Sequence, residues 1–353
     1  MPVLASLLLG LKLGHVVAAD TLLVQVPSAF LLGGSVFAAV HHAEVLALRL
    51  GEPFGSILLA VSVTVIEVAL IVSIQLAGGP GSDAVARDTV FSAVMIVLNA
   101  IVGLCLVLGA SQYRVQSFQL HGASAALTVL GPLAVLAMVL PNYTTAAPGP
   151  YYSPFQLITV GAVSLVLYAG FVFVQTVRHR DYFLDVRTGD DDSPDVEPVK
   201  PPARVALASV VLLLVSLTAV VLLAKLLSSP LERAIDGAGL PHAVLGVVIA
   251  ALVLLPEGIA SVRAALVNRL QNSLNLALGS AIASIGLTIP TVAVASLVTG
   301  QNLALGLSQA NVVLLLLTLF MSTLTLGTGR TTVLQGIVHL VIFAVFLLVT
   351  AVP

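Results

Sequence analysis

Apolar residues run along this chain in long unbroken stretches rather than in alternation. Crossing a hydrocarbon core takes about 20 mainly apolar residues. Stretches suited to that task recur at roughly 2–18, 22–46, 53–77, 88–110, 123–141, 153–177, 204–228, 242–262, 273–299, 307–327 and 331–352. The breaks between them include Gly78-Gly79-Pro80-Gly81, Pro141-Asn142, Pro148-Gly149-Pro150 and Ser229-Pro230, all turn or breaker chemistry. Continuous apolar runs argue against a β-barrel, whose strands alternate over about 10 residues. The pattern predicts an all-α polytopic membrane protein with about 11 transmembrane helices. The first stretch, Val3 to Leu13, is short and has no basic leader before it, so it reads as an extra N-terminal helix rather than a cleaved signal.

One hydrophilic segment interrupts the pattern, from Arg178 to Arg204. It carries Asp181, Asp185, Asp190, Asp191, Asp192, Asp195 and Glu197 together with Pro194, Pro198, Pro201 and Pro202. It reads as a flexible loop between two membrane halves, either a plain solvated linker or a loose Ca²⁺-binding regulator. The expected organisation is an N-terminal helix at 1–21, a first membrane repeat at 22–177, an acidic loop at 178–203 and a second repeat at 204–353. Of the 14 Lys and Arg residues, ten fall on the side that holds this loop. Only Lys12, Arg87, Lys225 and Arg233 fall on the other. The positive-inside rule then places the N-terminus and the loop in the cytoplasm, as expected of an integral protein of a bacterial plasma (inner) membrane.

Composition narrows the classes further. Only 8% of the 353 residues are charged and 59% are hydrophobic, against about 25% charged in a soluble domain. The surface must therefore face lipid. A net charge of −2 argues against a nucleic-acid partner. The single Cys105 excludes a disulfide framework and a cysteine metal site, and reads as a small buried apolar residue.

Five spans follow the first helix before the loop, and five come after it. An odd number per half inserts the halves in opposite senses, the inverted-repeat plan of many secondary transporters. The second span of each half carries a glutamate, Glu67 at the end of the run from Gly55 and Glu257 at the end of the run from Leu245. With the glutamates aligned, Ala60 matches Ala250, Val63 matches Val253 and Val72 matches Val262. Each glutamate sits about 15 residues into its span, about 20 Å deep. Inverted halves bring such positions together near the midplane.

A charged carboxylate at the bilayer centre costs on the order of 3 kcal/mol on insertion scales. Protonation or a bound cation removes much of that cost. Two adjacent carboxylates repel each other, so the pair has two favourable occupied states: protonated, or holding one divalent cation. Competition between those states is the chemistry of a cation/proton antiporter. Protonated glutamates hydrogen-bonded for packing are the structural alternative.

Ca²⁺ takes six to eight oxygen ligands, and polar side chains near the pair offer candidates. These are Thr64, Ser62 and Ser73 around Glu67, Asn99 and Ser92 in the next span, and Asn275, Ser280, Ser284 and Thr288 in the span after Glu257. Helix–helix hydrogen bonding is the alternative for each hydroxyl. Pro256 has no N–H, so the carbonyl of Leu252 loses its helical partner and can turn toward an ion. His41, His42 and His339 are candidates for proton relay, although neighbours such as His41 and His42 face different sides of a helix. An interfacial or packing role stands against each.

These residues carry a family resemblance. Arg49-Leu50-Gly51-Glu52-Pro53-Phe54-Gly55-Ser56 leading into Ile66-Glu67-Val68 resembles the first signature of the Ca²⁺/cation antiporter superfamily, in particular bacterial ChaA-type calcium/proton antiporters. Pro256-Glu257-Gly258, Asn268-Arg269-Leu270-Gln271 and Asn275-Leu276-Ala277-Leu278-Gly279-Ser280 resemble the second. The similarity extends over nearly the whole chain. It implies two inverted five-helix repeats with an ion site between them, Glu67 and Glu257 as ion and proton ligands, and Ca²⁺ export in exchange for H⁺, with Na⁺ or K⁺ as alternative substrates. Where other members carry a Gly-Asn motif before the first glutamate, this chain has Ser62-Val63-Thr64-Val65-Ile66. A cation channel is the competing class. No Ser/His pairing, zinc-type His spacing or phosphate loop points to an enzyme, and no cofactor is expected beyond the transported ions.

Overall fold

The computed structural model describes residues 4–6, 8, 22–51, 54–79, 81–184 and 200–353. Among them, ten helices are long and apolar enough to cross a membrane. They are α1 (Leu22–Leu50), α2 (Phe54–Ala77), α3 (Val85–Tyr113), α4 (Leu120–Tyr143), α5 (Pro154–Arg178), α6 (Ala203–Gly237), α7 (Ala243–Leu266), α8 (Leu270–Thr299), α9 (Gln309–Leu326) and α10 (Val333–Ala351). Lipid offers no partner to a bare backbone group, so helices that satisfy their own N–H and C=O groups are the economical solution. The expected first helix lies outside the described residues apart from 4–6 and 8, and so does the acidic stretch of the loop at 185–199.

Most expected breaks occur where the sequence places them. Gly78 and Gly81 take positive φ between α2 and α3, a conformation open to glycine. Pro141-Asn142 falls in the 3₁₀ turn, Leu140–Tyr143, that closes α4; Ser229-Pro230 is a break that its helix runs through. Pro230 lies inside α6 and the helix continues to Gly237. The stretch after Pro230 carries Glu232, Arg233 and Asp236 and lies beyond the apolar span, and the helix there absorbs the loss of the one hydrogen bond that the proline removes. Pro27, Pro132 and Pro256 likewise sit within helices.

The packing has a regular plan. The first helices of the two halves, α1 and α6, lie against each other. α2 packs on α8 and α7 packs on α3; α5 packs on α8 and α10 on α3; α4 packs on α8 and α9 on α3. Exchanging α1–α5 for α6–α10 turns each of these contacts into another member of the set. The short extended segments follow the same exchange. Gln116–Ser117, between α3 and α4, pairs antiparallel with Arg330–Thr331, between α9 and α10. At the other end of α4, Tyr151 bridges to Ala304, between α8 and α9.

α3 and α8 form the centre. α3 is the most buried of the ten spans and α8 comes next. Glycine sets how closely their neighbours approach. A Cβ on Gly246 of α7 would meet the Asp88 carbonyl carbon of α3 at 2.5 Å, and one on Gly336 of α10 would meet the Gly103 oxygen at 2.7 Å. Both spans depart from α geometry mid-helix, with π turns at Ile96–Ile101 and Ser284–Thr288. In α8 the cause is local: Pro290 follows, and it has no N–H for the Gly286 carbonyl.

Candidate functional site

Glu67 is buried at 3% exposure in α2. Both its oxygens accept hydrogen bonds from the π turn of α8: Ser284 Oγ donates to Oε1 at 2.6 Å and Thr288 Oγ1 to Oε2 at 2.7 Å. Ser284 and Thr288 are four residues apart, so both hydroxyls reach the same face of the turn. Such π segments often mark functional sites.

Glu257 of α7 presents the opposite situation. Its Oε2 is sealed from the surface and has no hydrogen-bond partner among the described residues. A buried carboxylate oxygen left without a donor is costly. Glu67 and Glu44 both lie close enough to act on it electrostatically.

The two glutamates line one cavity of about 190 Å³ between α2, α3, α5, α7 and α8. Thr64, Asn275, Ser280 and Ser284 line it as well. The Thr64 hydroxyl donates to Ala60 O of its own helix at 2.8 Å, which leaves its lone pairs for another partner. Asn275 is already engaged: it donates to Phe183 O at 2.6 Å and accepts from Gln271 Nε2 at 2.8 Å. Leu252 is not among the lining residues, although its neighbours Val253 and Leu254 are. A second cavity, of about 210 Å³, shares Ser56, Gln175 and Asn275 with the first and reaches Arg180 and Phe183. The site thus continues toward the α5–α6 connection. Tyr168 and Gln175 of α5 are lining residues that sequence spacing did not single out. They lie seven residues apart on one helical face, a signal visible only once α5 is known to face the site.

The structure puts Asn99 elsewhere. It is fully buried, on the side of α3 that meets α9 and α10, and Nδ2 donates to Thr318 Oγ1 at 2.9 Å. Its Oδ1 lies 3.1 Å from His339 Nδ1, and His339 Nε2 lies 3.1 Å from Thr325 Oγ1. Asn99 and His339 therefore satisfy each other away from the glutamate cavity. The backbone of α3 turns its π segment so that the amide faces α10 rather than α7. His41 and His42 are also off the cavity. Their rings meet edge to face at 5.3 Å, and His42 Nδ1 lies 3.3 Å from Ser209 Oγ of α6.

Among the described residues, no cluster of three or more His, Cys, Asp or Glu is placed to hold a metal ion. The cavity instead offers two carboxylates, hydroxyls and the amides of Gln175 and Asn275. That set can take a cation or protons, and it has no third acid to hold the cation permanently.

Comparison with known proteins gives a consistent family. Residues 21–177 and 208–352 match the family described as Sodium/calcium exchanger protein. The chain is 57% identical over 353 residues to y4hA of Sinorhizobium fredii (strain NBRC 101917 / NGR234), covering all of this chain and 95% of that one. It is 36% identical over 314 residues to the sodium-potassium/proton antiporter ChaA of Escherichia coli (strain K12), covering 89% and 85%. Its fold is similar to that of the Ca²⁺/H⁺ antiporter YfkE in its native structure, with a TM-score of 0.76 at 15% identity over 99% of this chain and 97% of that one.

Proposed function

This chain belongs to the sodium/calcium exchanger family of secondary cation antiporters, which are not enzymes, and from that premise we propose that it exchanges Ca²⁺ for H⁺ by alternating access, with Glu67 and Glu257 as the shared ligands. The observation that carries the reading is that both glutamates line one cavity. Glu67 is held by two hydroxyl donors, while Glu257 has an oxygen with no partner. Glu257 Oε2 is the oxygen that an arriving cation meets unengaged, and Glu67 completes the pair. Thr64, Ser280, Ser284 and the Asn275 oxygen supply further ligands as their hydrogen bonds exchange. Two ionised carboxylates balance the charge of one Ca²⁺, and two protons balance them equally well. Cation and protons therefore displace one another, and the costly empty, doubly charged state is avoided. A channel has no need of that competition.

The halves are read as inverted five-helix repeats at 22–177 and 204–353. The exchange-symmetric packing supports this, as do the two loop pairings at opposite ends of α4. The inner membrane is the proposed location, with the α5–α6 loop in the cytoplasm. The second cavity then opens the site toward the cytoplasm through Gln175 and Arg180. His41, His42 and His339 have no part in the proposed ion path.

Na⁺/H⁺ or K⁺/H⁺ exchange is a second reading, favoured by the name of the Escherichia coli relative. A two-carboxylate site can hold one monovalent cation and one proton. Everted vesicles with an imposed pH gradient distinguish the readings. Ca²⁺ is expected to collapse the gradient, whereas collapse by Na⁺ or K⁺ without any response to Ca²⁺ would replace the first reading with the second.

A further inference from the structure

A groove on the outer face of the bundle runs behind the ion cavity. It lies between α3, α7 and α10, has a volume of about 520 Å³, and is apolar along its length except at one end, where Arg263 lines it. The α7 stripe that floors it runs from Val247 through Ala251, Leu254 and Gly258 to Arg263. Sixteen helical rises, from Val247 to Arg263, span about 24 Å. That accommodates a full acyl chain from one leaflet of a core about 30 Å thick. Small residues make the hollow: Ala251 and Ala100 line it, and Gly258 has no side chain to fill it, with Ile101 Cδ1 only 3.2 Å from where its Cβ would be. Phe343 of α10 closes the far wall.

Arg263 is exposed in the last turn of α7. It has no hydrogen bond or ion pair among the described residues. A guanidinium at a membrane-helix end is suited to a bidentate bond with phosphate. No carboxylate lines the groove to neutralise it.

We propose that this groove is a binding site for an anionic phospholipid, with the headgroup phosphate on Arg263 and one acyl chain lying along α7 over Ala251 and Gly258. The apolar length, the hollow and the lone cation at one end together match a phospholipid. Leu254 lines both this groove and the glutamate cavity, so the bound chain backs the wall that separates lipid from the ions. The binding claim does not depend on which cation is exchanged, and its failure would leave the exchange reading untouched.

The test is native mass spectrometry of the purified full chain equilibrated with mixed micelles of equal phosphatidylglycerol and phosphatidylcholine. The wild type is expected to retain one phosphatidylglycerol in preference to phosphatidylcholine. Arg263→Ala should cut that preference roughly fivefold, the effect of one basic group beside anionic lipid, and Arg263→Lys should keep most of it. Ala251→Trp, which fills the hollow and leaves the cation in place, should lose the bound lipid of either kind. Arg204→Ala, off the groove, should change nothing. Equal retention of both lipids by the wild type would overturn the proposal. So would an Arg263→Ala protein that behaves as wild type, an Arg204→Ala loss as large as that of Arg263→Ala, or a dimer that leaves no lipid in the groove.

Discussion

Two of the buried polar centres among the described residues differ in whether their groups are satisfied. Glu67 draws on Ser284 and Thr288. Hydrogen bonds to a charged group contribute about 1.5–3 kcal/mol each, and hydroxyl donors favour the ionised carboxylate over the neutral acid. Ser284→Ala and Thr288→Ala each remove one donor, so the proton competes better. Half-maximal Ca²⁺-driven exchange is expected at higher pH in either variant, with the shift read from the pH profile of transport; an unchanged profile would detach these hydroxyls from the site. Asn99 and His339 form the satisfied centre. Asn99→Leu and His339→Leu should each lower thermal stability by about 1–3 kcal/mol through the partners left unpaired, while the order of preferred cations stays as in the wild type. A change in that order would return Asn99 to the ion path.

At the scale of the helix, the sequence pattern was most informative where composition alone decides. The ten described spans begin and end close to the breaks that apolar length predicts. Pro230 is the misread position, because a proline removes one helical hydrogen bond and does not by itself end a helix. That Glu67 and Glu257 would come together was also legible, since each stands alone at the same depth in matching spans, and both line one cavity; their role as ligands belongs to the proposal. Asn99 was not legible in this way. Its place on α3 suited the site, but which way the amide faces depends on the π turn at Ile96–Ile101, and no residue spacing encodes that register. The π turn of α8 has a cause in Pro290; for that of α3 the structure offers no comparable local reason. Close helix contact is the other element-scale feature with a direct test. Gly246→Leu forces a side chain into the α3 backbone at Asp88. Overpacking of this kind costs about 1–3 kcal/mol. Because α7 carries Glu257, the variant should lose transport together with stability, measured as a lower melting temperature of the purified protein. Unchanged melting would mean that α3 and α7 sit farther apart.

For the whole molecule, the exchange symmetry of the contacts accounts for how two glutamates distant in sequence share one cavity. Each half contributes its second helix to the site and its third helix to the centre, so Glu67 of α2 meets α8 and Glu257 of α7 meets α3. A polar site at this depth is tolerable because it is walled by helices rather than by lipid. The oxygen of Glu257 that lacks a partner is the group that the proposed exchange would engage with a cation. The direct test is proton release on Ca²⁺ binding to the purified protein in weakly buffered detergent solution. Wild type should release protons as Ca²⁺ binds, and Glu67→Gln and Glu257→Gln should each bind Ca²⁺ more weakly and release fewer. Ca²⁺ binding without proton release, or release that persists undiminished when both glutamates are replaced, would contradict competition at this pair.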